Sequence, residues 1–320
     1  MKRVNILALS IIAAMAILGS VPVYAEEGGG GHYMPGANAS FVDALPGKPG
    51  LAIANFFAYY NASANVSKLG GLVTAGIDAT AYADTVIALY RTDMTLLGGY
   101  YVAGVAVPYV WMTVKGSAQL TGPGGGTVTR TVRDTANGFG DITVYPFMLG
   151  WVTGDLKTDL RLGVYAPTGD YETNRLANVG RNYWTFEPAV SVSWFSSKFG
   201  TEITAFAGLD FSTRNDATDY QSGDVFHVDG TVAQHLPLGK LGVIGLGANA
   251  FYYQQVTPDS GVGAKLGDFK GRTIGIGPVV SFITKVGKCD VVAEVKWLPE
   301  LDVAKRIKGD IVWAKLGVAF

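Results

Sequence analysis

The most constraining feature of this sequence is an alternation of apolar and polar residues along most of its length. Between Tyr183 and Trp194, the even positions are apolar, whereas odd positions include Thr185, Glu187 and Ser191. A period of two places these sets on opposite faces of an extended strand. The chain is therefore expected to consist mainly of β-strands with one apolar and one more polar face.

The same alternation predicts twelve strands. They cover 51–60, 73–90, 94–114, 139–151, 156–168, 182–197, 199–213, 221–236, 240–255, 270–284, 287–299 and 307–320. The segment 73–90 is rich in alanine, and a helix is its alternative.

The connections between these segments differ in length in a regular way. Those after even-numbered segments are short, and those after odd-numbered segments are long and polar. The long ones are 61–72, 115–138, 169–181, 214–220, 256–269 and 300–306. Short turns alternating with long loops are typical of a bacterial outer-membrane barrel with an even number of strands. We therefore predict an all-β, transmembrane, antiparallel up-and-down barrel of about twelve strands over residues 51–320.

Composition excludes several other classes of protein. Charged residues make up only 16% of the chain, against about 25% in a typical soluble protein. The formal net charge of −1 gives no basic surface, so no nucleic-acid partner is expected. The single cysteine, Cys289, excludes an intrachain disulfide and a multi-cysteine metal site. No apolar run of about 20 residues follows position 25, so membrane-spanning helices are not expected there.

The first 25 residues predict a secretory signal peptide. Lys2 and Arg3 precede an apolar stretch over 6–18, and cleavage is expected after Ala25. An N-terminal anchor helix is the alternative. Cleavage would leave a mature chain destined for the bacterial outer membrane.

Residues 26–50 are rich in glycine and proline, which disfavours long regular elements. We consider two roles for this stretch, a periplasmic leader and a plug inside the barrel lumen. In a plug, His32, Tyr33 and Pro35 would contact the permeation path.

The polar face of the predicted strands supplies the candidate lumen lining. These residues are Lys157, Asp159, Arg161, Tyr165, Tyr183, Glu187, Glu202, Phe206, Asp210, His227, Asp229, Tyr253, Glu294 and Lys296. Lys315 shares this orientation. Their charges have two interpretations: a lining that selects solutes, or ion pairs that fill a narrow lumen. Barrels of eight strands are filled and those of sixteen or more are open, so twelve strands leave both possible.

Aromatic residues near the predicted strand ends suggest a girdle at the membrane interfaces. Trp111, Trp184 and Trp297 fall near outer ends, and Trp151 and Trp194 near inner ends. Trp313 has the parity of an inward-facing ring. The terminal Phe320 ends an alternating strand and resembles the insertion signal read by the barrel-assembly machinery. Outer-membrane lipid and that machinery are therefore expected partners.

An outer-membrane enzyme is the main rival to a transporter, since some barrels hydrolyse lipids with a Ser/His pair at the lipid-facing rim. The histidines are His32, His227 and His235. The last two lie on the polar face of one predicted strand, away from lipid, and roughly 26 Å apart at ~3.3 Å per residue. We therefore expect no catalytic residues, no metal site and no cofactor.

Several motifs together resemble one known family. They are HYMPG at 32–36, ALP at 44–46, PG at 49–50, FGDITVYPFMLGW at 139–151, GVYAPTGDY at 163–171, NVGRNYWTFEP at 178–188, Asn215, Thr218, Tyr220, Ser222, Gly223, and GIGP at 275–278. The chain resembles the family named for the MetA pathway of phenol degradation, whose members are outer-membrane transporters. The resemblance implies a β-barrel related in role to porins, with aromatic solutes suggested mainly by the family name.

The expected function is passive uptake of small apolar or aromatic molecules through an outer-membrane channel. Two alternatives stay open, a general porin for polar solutes and a structural barrel with a closed lumen.

Overall fold

The computed structural model describes residues 30–68, 73–121, 126–173, 175–264 and 270–320 of the chain. The predicted signal peptide lies outside these described residues. The described residues contain thirteen strands: β1 (Gly50–Lys68), β2 (Val73–Leu96), β3 (Gly99–Thr121), β4 (Thr127–Phe139), β5 (Ile142–Thr153), β6 (Leu156–Ala166), β7 (Thr185–Phe195), β8 (Thr201–Ser212), β9 (Val225–Pro237), β10 (Val243–Gln255), β11 (Arg272–Val286), β12 (Cys289–Ala304) and β13 (Lys308–Ala319). Short 3₁₀ turns occur at Phe41–Asp43 and Gly239–Leu241. None of the helical segments described has the length and apolar character needed to span a bilayer.

Twelve of these strands close into an antiparallel ring. The ring closes where β1 pairs with β13. Ala58 of β1 is opposite Trp313 of β13 on one side and Ala83 of β2 on the other. Among the described residues, the extra strand β4 pairs with the distal, C-terminal half of β3, from Tyr109 to Thr121. β5 pairs with the N-terminal half of β3, between Tyr100 and Ala106. Closure gives the strands of the ring hydrogen-bonding neighbours on both sides, as a hydrocarbon environment requires. The predicted twelve-stranded barrel is confirmed.

Several predicted strand boundaries are wrong, because the strands continue beyond the part of the chain in which apolar and polar residues alternate. The segment 73–90 is a strand, as predicted, but it continues to Leu96. The predicted loop 61–72 is largely the continuation of β1 to Lys68. The predicted loop 115–138 contains the end of β3 and nearly all of β4, with Lys115 opposite Arg133. Most of 300–306 belongs to β12, which ends at Ala304.

The physical reason for these errors is the length of the strands. β1, β2 and β3 have 19, 24 and 23 residues, whereas about 9–11 tilted residues cross a membrane. Backbone pairing continues beyond the apolar layer because it needs only a neighbouring strand. Alternation is lost there because both faces are polar, so the sequence resembles a loop.

Side-chain burial follows the alternation: the polar face of each strand points into the barrel and the apolar face points outward. In β7, Glu187 is 4% exposed and its neighbour Phe186 is 41% exposed. In β8, Glu202 and Thr204 are buried, whereas Ile203 is exposed. An apolar exterior around a polar interior is the arrangement of a barrel whose outer surface contacts lipid.

Candidate functional site: the barrel interior

Residues 30–49, which we call the lumen segment, lie across the interior of the barrel. The segment makes polar contacts with side chains from six strands of the ring: Arg91 of β2, Thr185 of β7, Glu202 of β8, Asp229 of β9, Lys296 of β12, and Trp313 and Lys315 of β13. Five of these strands lie in the stretch of wall from β7 to β13, and β2 lies on the far side of β1. Side chains from several parts of the wall therefore hold the segment by polar contacts.

Asp229 is the residue that holds the middle of the lumen segment. Its carboxylate accepts hydrogen bonds from the Tyr33 hydroxyl, from Gly36 N at 3.2 Å and from Asn38 N at 3.1 Å. Gly36 has a φ of +76°, and a Cβ there would lie 2.1 Å from Leu298 Cδ1. Glycine is needed at this position both for the backbone conformation and for the close approach to the wall.

The end of the lumen segment joins a cluster of buried charges. Lys315 Nζ lies 2.6 Å from Asp43 Oδ1 and 3.2 Å from Glu294 Oε1. Lys296 Nζ lies 3.3 Å from the same Glu294 oxygen, and it also donates to Asn38 O at 3.1 Å. Two ammonium groups and two carboxylates thus meet where the segment approaches β12 and β13.

His32 joins the start of the lumen segment to the junction between β4 and β5 and to the first residue of β7. Its Nε2 donates to Asp141 Oδ2 at 2.9 Å, and its Nδ1 lies 2.8 Å from Thr185 Oγ1. Asp141 also accepts from Gly169 N and Arg181 N. Burial works against the charged form of Asp141, but these hydrogen bonds outweigh it and hold the pKa of its carboxyl below the usual value.

The structure places all but one of the predicted lumen residues in the buried interior. Lys157, at the start of β6, is exposed. The others are each at most 9% exposed: Asp159, Arg161, Tyr165, Tyr183, Glu187, Glu202, Phe206, Asp210, His227, Asp229, Tyr253, Glu294 and Lys296.

Several of the inward polar side chains are paired with one another. Arg161 Nε donates to Asp159 Oδ1 at 2.7 Å, and His235 Nε2 lies 2.8 Å from Glu202 Oε2. The Lys296–Glu294 contact described above is a third pair. Aromatic rings lie among these pairs, since Tyr33, Phe206 and Tyr253 belong to one buried apolar cluster.

Sequence reasoning missed one group of side chains that the structure brings together. Glu187 Oε1 lies 3.2 Å from His227 Nε2, and Asp210 Oδ1 lies 3.4 Å from the same nitrogen. The prediction of no metal site considered only the separation of His227 from His235, which lies far along the same strand. Glu187 and Asp210 instead come from the neighbouring strands β7 and β8. Register was the missing information: Gly208 of β8 is opposite both His227 and Ala189.

Four of the five tryptophans predicted for the membrane interfaces are exposed on the outer surface. Trp111, Trp184, Trp194 and Trp297 are 38–50% exposed. Trp151 is half-buried and donates to Leu97 O at the turn between β2 and β3. Trp313 instead points inward, where it donates to Pro35 O of the lumen segment. The terminal Phe320 is exposed, and its N–H donates to Leu51 O at 3.1 Å.

Together, the closed ring, the apolar exterior and the polar interior define a bacterial outer-membrane β-barrel. Residues 62–316 match the family described as "Putative MetA-pathway of phenol degradation". The chain belongs to this family, as its motifs predicted.

A solved structure has a similar fold. An outer membrane channel from Pseudomonas putida F1 is similar with a TM-score of 0.61 and 13% identity, over 90% of this chain and 100% of that one. The β domain of the Bordetella autotransporter BrkA aligns with a TM-score of 0.44 and 14% identity, over 85% of this chain and 100% of that one. No curated protein sequence matches the chain.

Proposed function

We propose that this barrel is a channel for passive uptake of small apolar or aromatic molecules into the periplasm. The observation that carries the proposal is the chemistry of the interior, where charges are paired and the rings of Tyr33, Phe206 and Tyr253 cluster. The pairs Arg161–Asp159 and Lys296–Glu294 attract a free ion or a polar solute weakly, because each charge within them is already compensated. Membership of a family named for phenol degradation, and the fold shared with an outer membrane channel, support the same class of function. The proposal assigns the protein to transport rather than catalysis.

The lumen segment is proposed to act as the plug of this channel. His32, Tyr33 and Pro35 all contact the wall, through Asp141, Asp229 and Trp313. A solute of the size of phenol would therefore pass only when part of this segment shifts. The signal peptide is proposed to be removed before the segment enters the barrel.

Outside the barrel, lipid is the proposed partner of the exposed apolar face. The exposed rings of Trp111, Trp184 and Trp297 would sit at one membrane interface, and the rings of Trp151 and Trp194 at the other. Phe320, at the end of the last strand, is proposed to contribute to recognition by the barrel-assembly machinery.

Uptake measured in cells tests the proposal, because lipopolysaccharide slows apolar solutes there. A strain lacking the gene would be complemented with the wild-type chain or with an empty vector, and uptake of labelled toluene would be compared. Swelling of proteoliposomes in arabinose would measure sugar flux through the same protein. We expect several-fold faster toluene uptake with the wild-type chain and little swelling.

Two other results would reject this function in different ways. Sugar flux without any gain in toluene uptake would indicate a general porin. No toluene uptake, together with near-zero conductance in planar bilayers both for the wild-type chain and after deletion of residues 30–49, would indicate a structural barrel.

A further inference from the structure

Three side chains with metal-binding atoms converge on one point of the barrel wall. Glu187 of β7, Asp210 of β8 and His227 of β9 each contribute one atom to a group whose members all lie within 4.8 Å of one another. All three residues are buried, with exposed fractions of 4%, 3% and 0%.

The spacing of these atoms fits the coordination shell of a small divalent metal ion. Zinc binds imidazole nitrogen and carboxylate oxygen at about 2.0–2.2 Å in a tetrahedral arrangement. Two ligands of such a tetrahedron are about 3.3–3.6 Å apart by that geometry. The distances from His227 Nε2 to Glu187 Oε1 and to Asp210 Oδ1, 3.2 and 3.4 Å, agree with this edge length.

The hydrogen-bonding state of the cluster is a second, independent indication of a ligand. Although His227 Nε2 and Glu187 Oε1 are buried and close to each other, neither has a hydrogen-bond partner of acceptable geometry among the described residues. Buried polar atoms are normally satisfied, and leaving one unsatisfied is costly. A cation between the two atoms would satisfy both at once.

Neighbouring residues orient the cluster in a way that suits metal binding. The Tyr165 hydroxyl donates to the other carboxylate oxygen of Glu187 at 2.7 Å, which leaves Oε1 directed at His227. Such an outer hydrogen bond commonly fixes the orientation of a ligating carboxylate. Gly208 lies opposite His227, and a Cβ there would be 2.5 Å from His227 Cε1. The absence of a side chain at position 208 is what leaves room for the imidazole.

We propose that Glu187, Asp210 and His227 bind one divalent transition-metal ion, with zinc as the representative case. Two carboxylates and one neutral imidazole provide a hard-to-borderline ligand set with net charge −2, which suits Zn²⁺ or Co²⁺. The site lies beside the lumen segment, because the Tyr33 ring stacks on the His227 ring with centroids 3.6 Å apart. Bound metal would fix His227 beneath Tyr33. This site does not depend on which solute the channel carries.

The test is metal titration of the full mature barrel in detergent after removal of metal with EDTA. Calorimetry with Zn²⁺ should show one site per wild-type chain, and Co²⁺ should give visible d–d absorption bands. We expect Glu187→Gln and Asp210→Asn each to weaken Zn²⁺ binding at least tenfold. Glu202→Gln is the matched control, because Glu202 forms a buried pair with His235 in neighbouring strands but lies outside the three-ligand cluster. This control should bind Zn²⁺ as the wild-type chain does.

The proposal is overturned if the wild-type chain shows no saturable Zn²⁺ site, or if both cluster variants bind as tightly as Glu202→Gln. Should the cluster variants not fold, judged by the heat-dependent gel mobility of the barrel, anomalous scattering from Zn²⁺-soaked wild-type crystals decides. A zinc peak within bonding distance of the three atoms supports the site, and a peak only elsewhere refutes it.

Discussion

Replacement of Asp229 by asparagine tests whether this carboxylate holds the lumen segment in place. Asparagine has nearly the same shape, but it carries one acceptor oxygen where aspartate has two. In the wild-type chain, one oxygen accepts from Gly36 N, and the other accepts from Asn38 N and the Tyr33 hydroxyl. Either orientation of the amide therefore places an NH₂ group against at least one N–H donor of the segment.

The expected loss follows from the value of a hydrogen bond to a charged acceptor. Such a bond contributes about 1.5–3 kcal/mol, and the substitution removes at least one and neutralises the acceptor of the others. We expect docking of the segment to weaken by about 2–3 kcal/mol. At 1.4 kcal/mol per tenfold change, the undocked fraction should rise about 30- to 150-fold.

Cysteine accessibility measures this undocked fraction. Ala37→Cys would be introduced into a Cys289→Ser background, and the rate of maleimide labelling would be followed in detergent. When opening is fast relative to labelling, the rate is proportional to the open population. Asp229→Asn should therefore label about 30- to 150-fold faster than the parent, with a matching rise in the open probability of single channels.

The control is Asp302→Asn, which removes the same charge from a residue that pairs with Arg272 on the exposed end of β12. It should label at the parent rate. A folded Asp229→Asn barrel whose labelling stays within twofold of the parent would refute the assignment of Asp229 as the anchor.

Two further predictions concern the regions outside the lumen. The hydrogen bond from Arg175 holds the pKa of Asp134 at about 2, below the usual value of about 3.9. The Asp134–Arg175 pair therefore holds the connection 167–184 in place above about pH 4, and this contribution is lost as the pH falls towards 2 and Asp134 becomes protonated. Pepsin cleavage there, normalised to an unfolded substrate, should rise over this interval, whereas Asp134→Asn should be cleaved readily throughout; a pH-independent wild-type rate would contradict this. On the outer face of β7, Val190→Lys should lower the free energy of unfolding in lipid vesicles by about 2–4 kcal/mol. Val128→Lys on β4, the control, should change this free energy little. If the two variants unfolded at the same urea midpoint, lipid contact at position 190 would be excluded.

How far the fold could be predicted depended on whether a strand has two different faces. The ring strands were all identified, including the alanine-rich β2, because apolar residues recur on the side that faces lipid. The prediction failed at β4 and at the distal end of β3, where both faces contact water. At Lys115 and Arg133, for example, backbone pairing continues, although no burial imposes an alternation on the side chains.

The interior divides into contacts that register determines and contacts that it does not. Parity alone indicated that Glu187, Asp210 and His227 face inward, and in an up-and-down barrel β7, β8 and β9 are necessarily neighbours. Knowing the register of two strand pairs would have been sufficient to bring the three side chains together. The position of the lumen segment cannot be predicted in this way, because the segment pairs with no strand. Lys315, for example, contacts Asp43, 272 residues earlier in the chain, through side chains alone. Its position depends on the summed complementarity of isolated charges and hydrogen bonds. A single substitution such as Asp229→Asn is therefore expected to affect docking of the segment far more than it affects the wall.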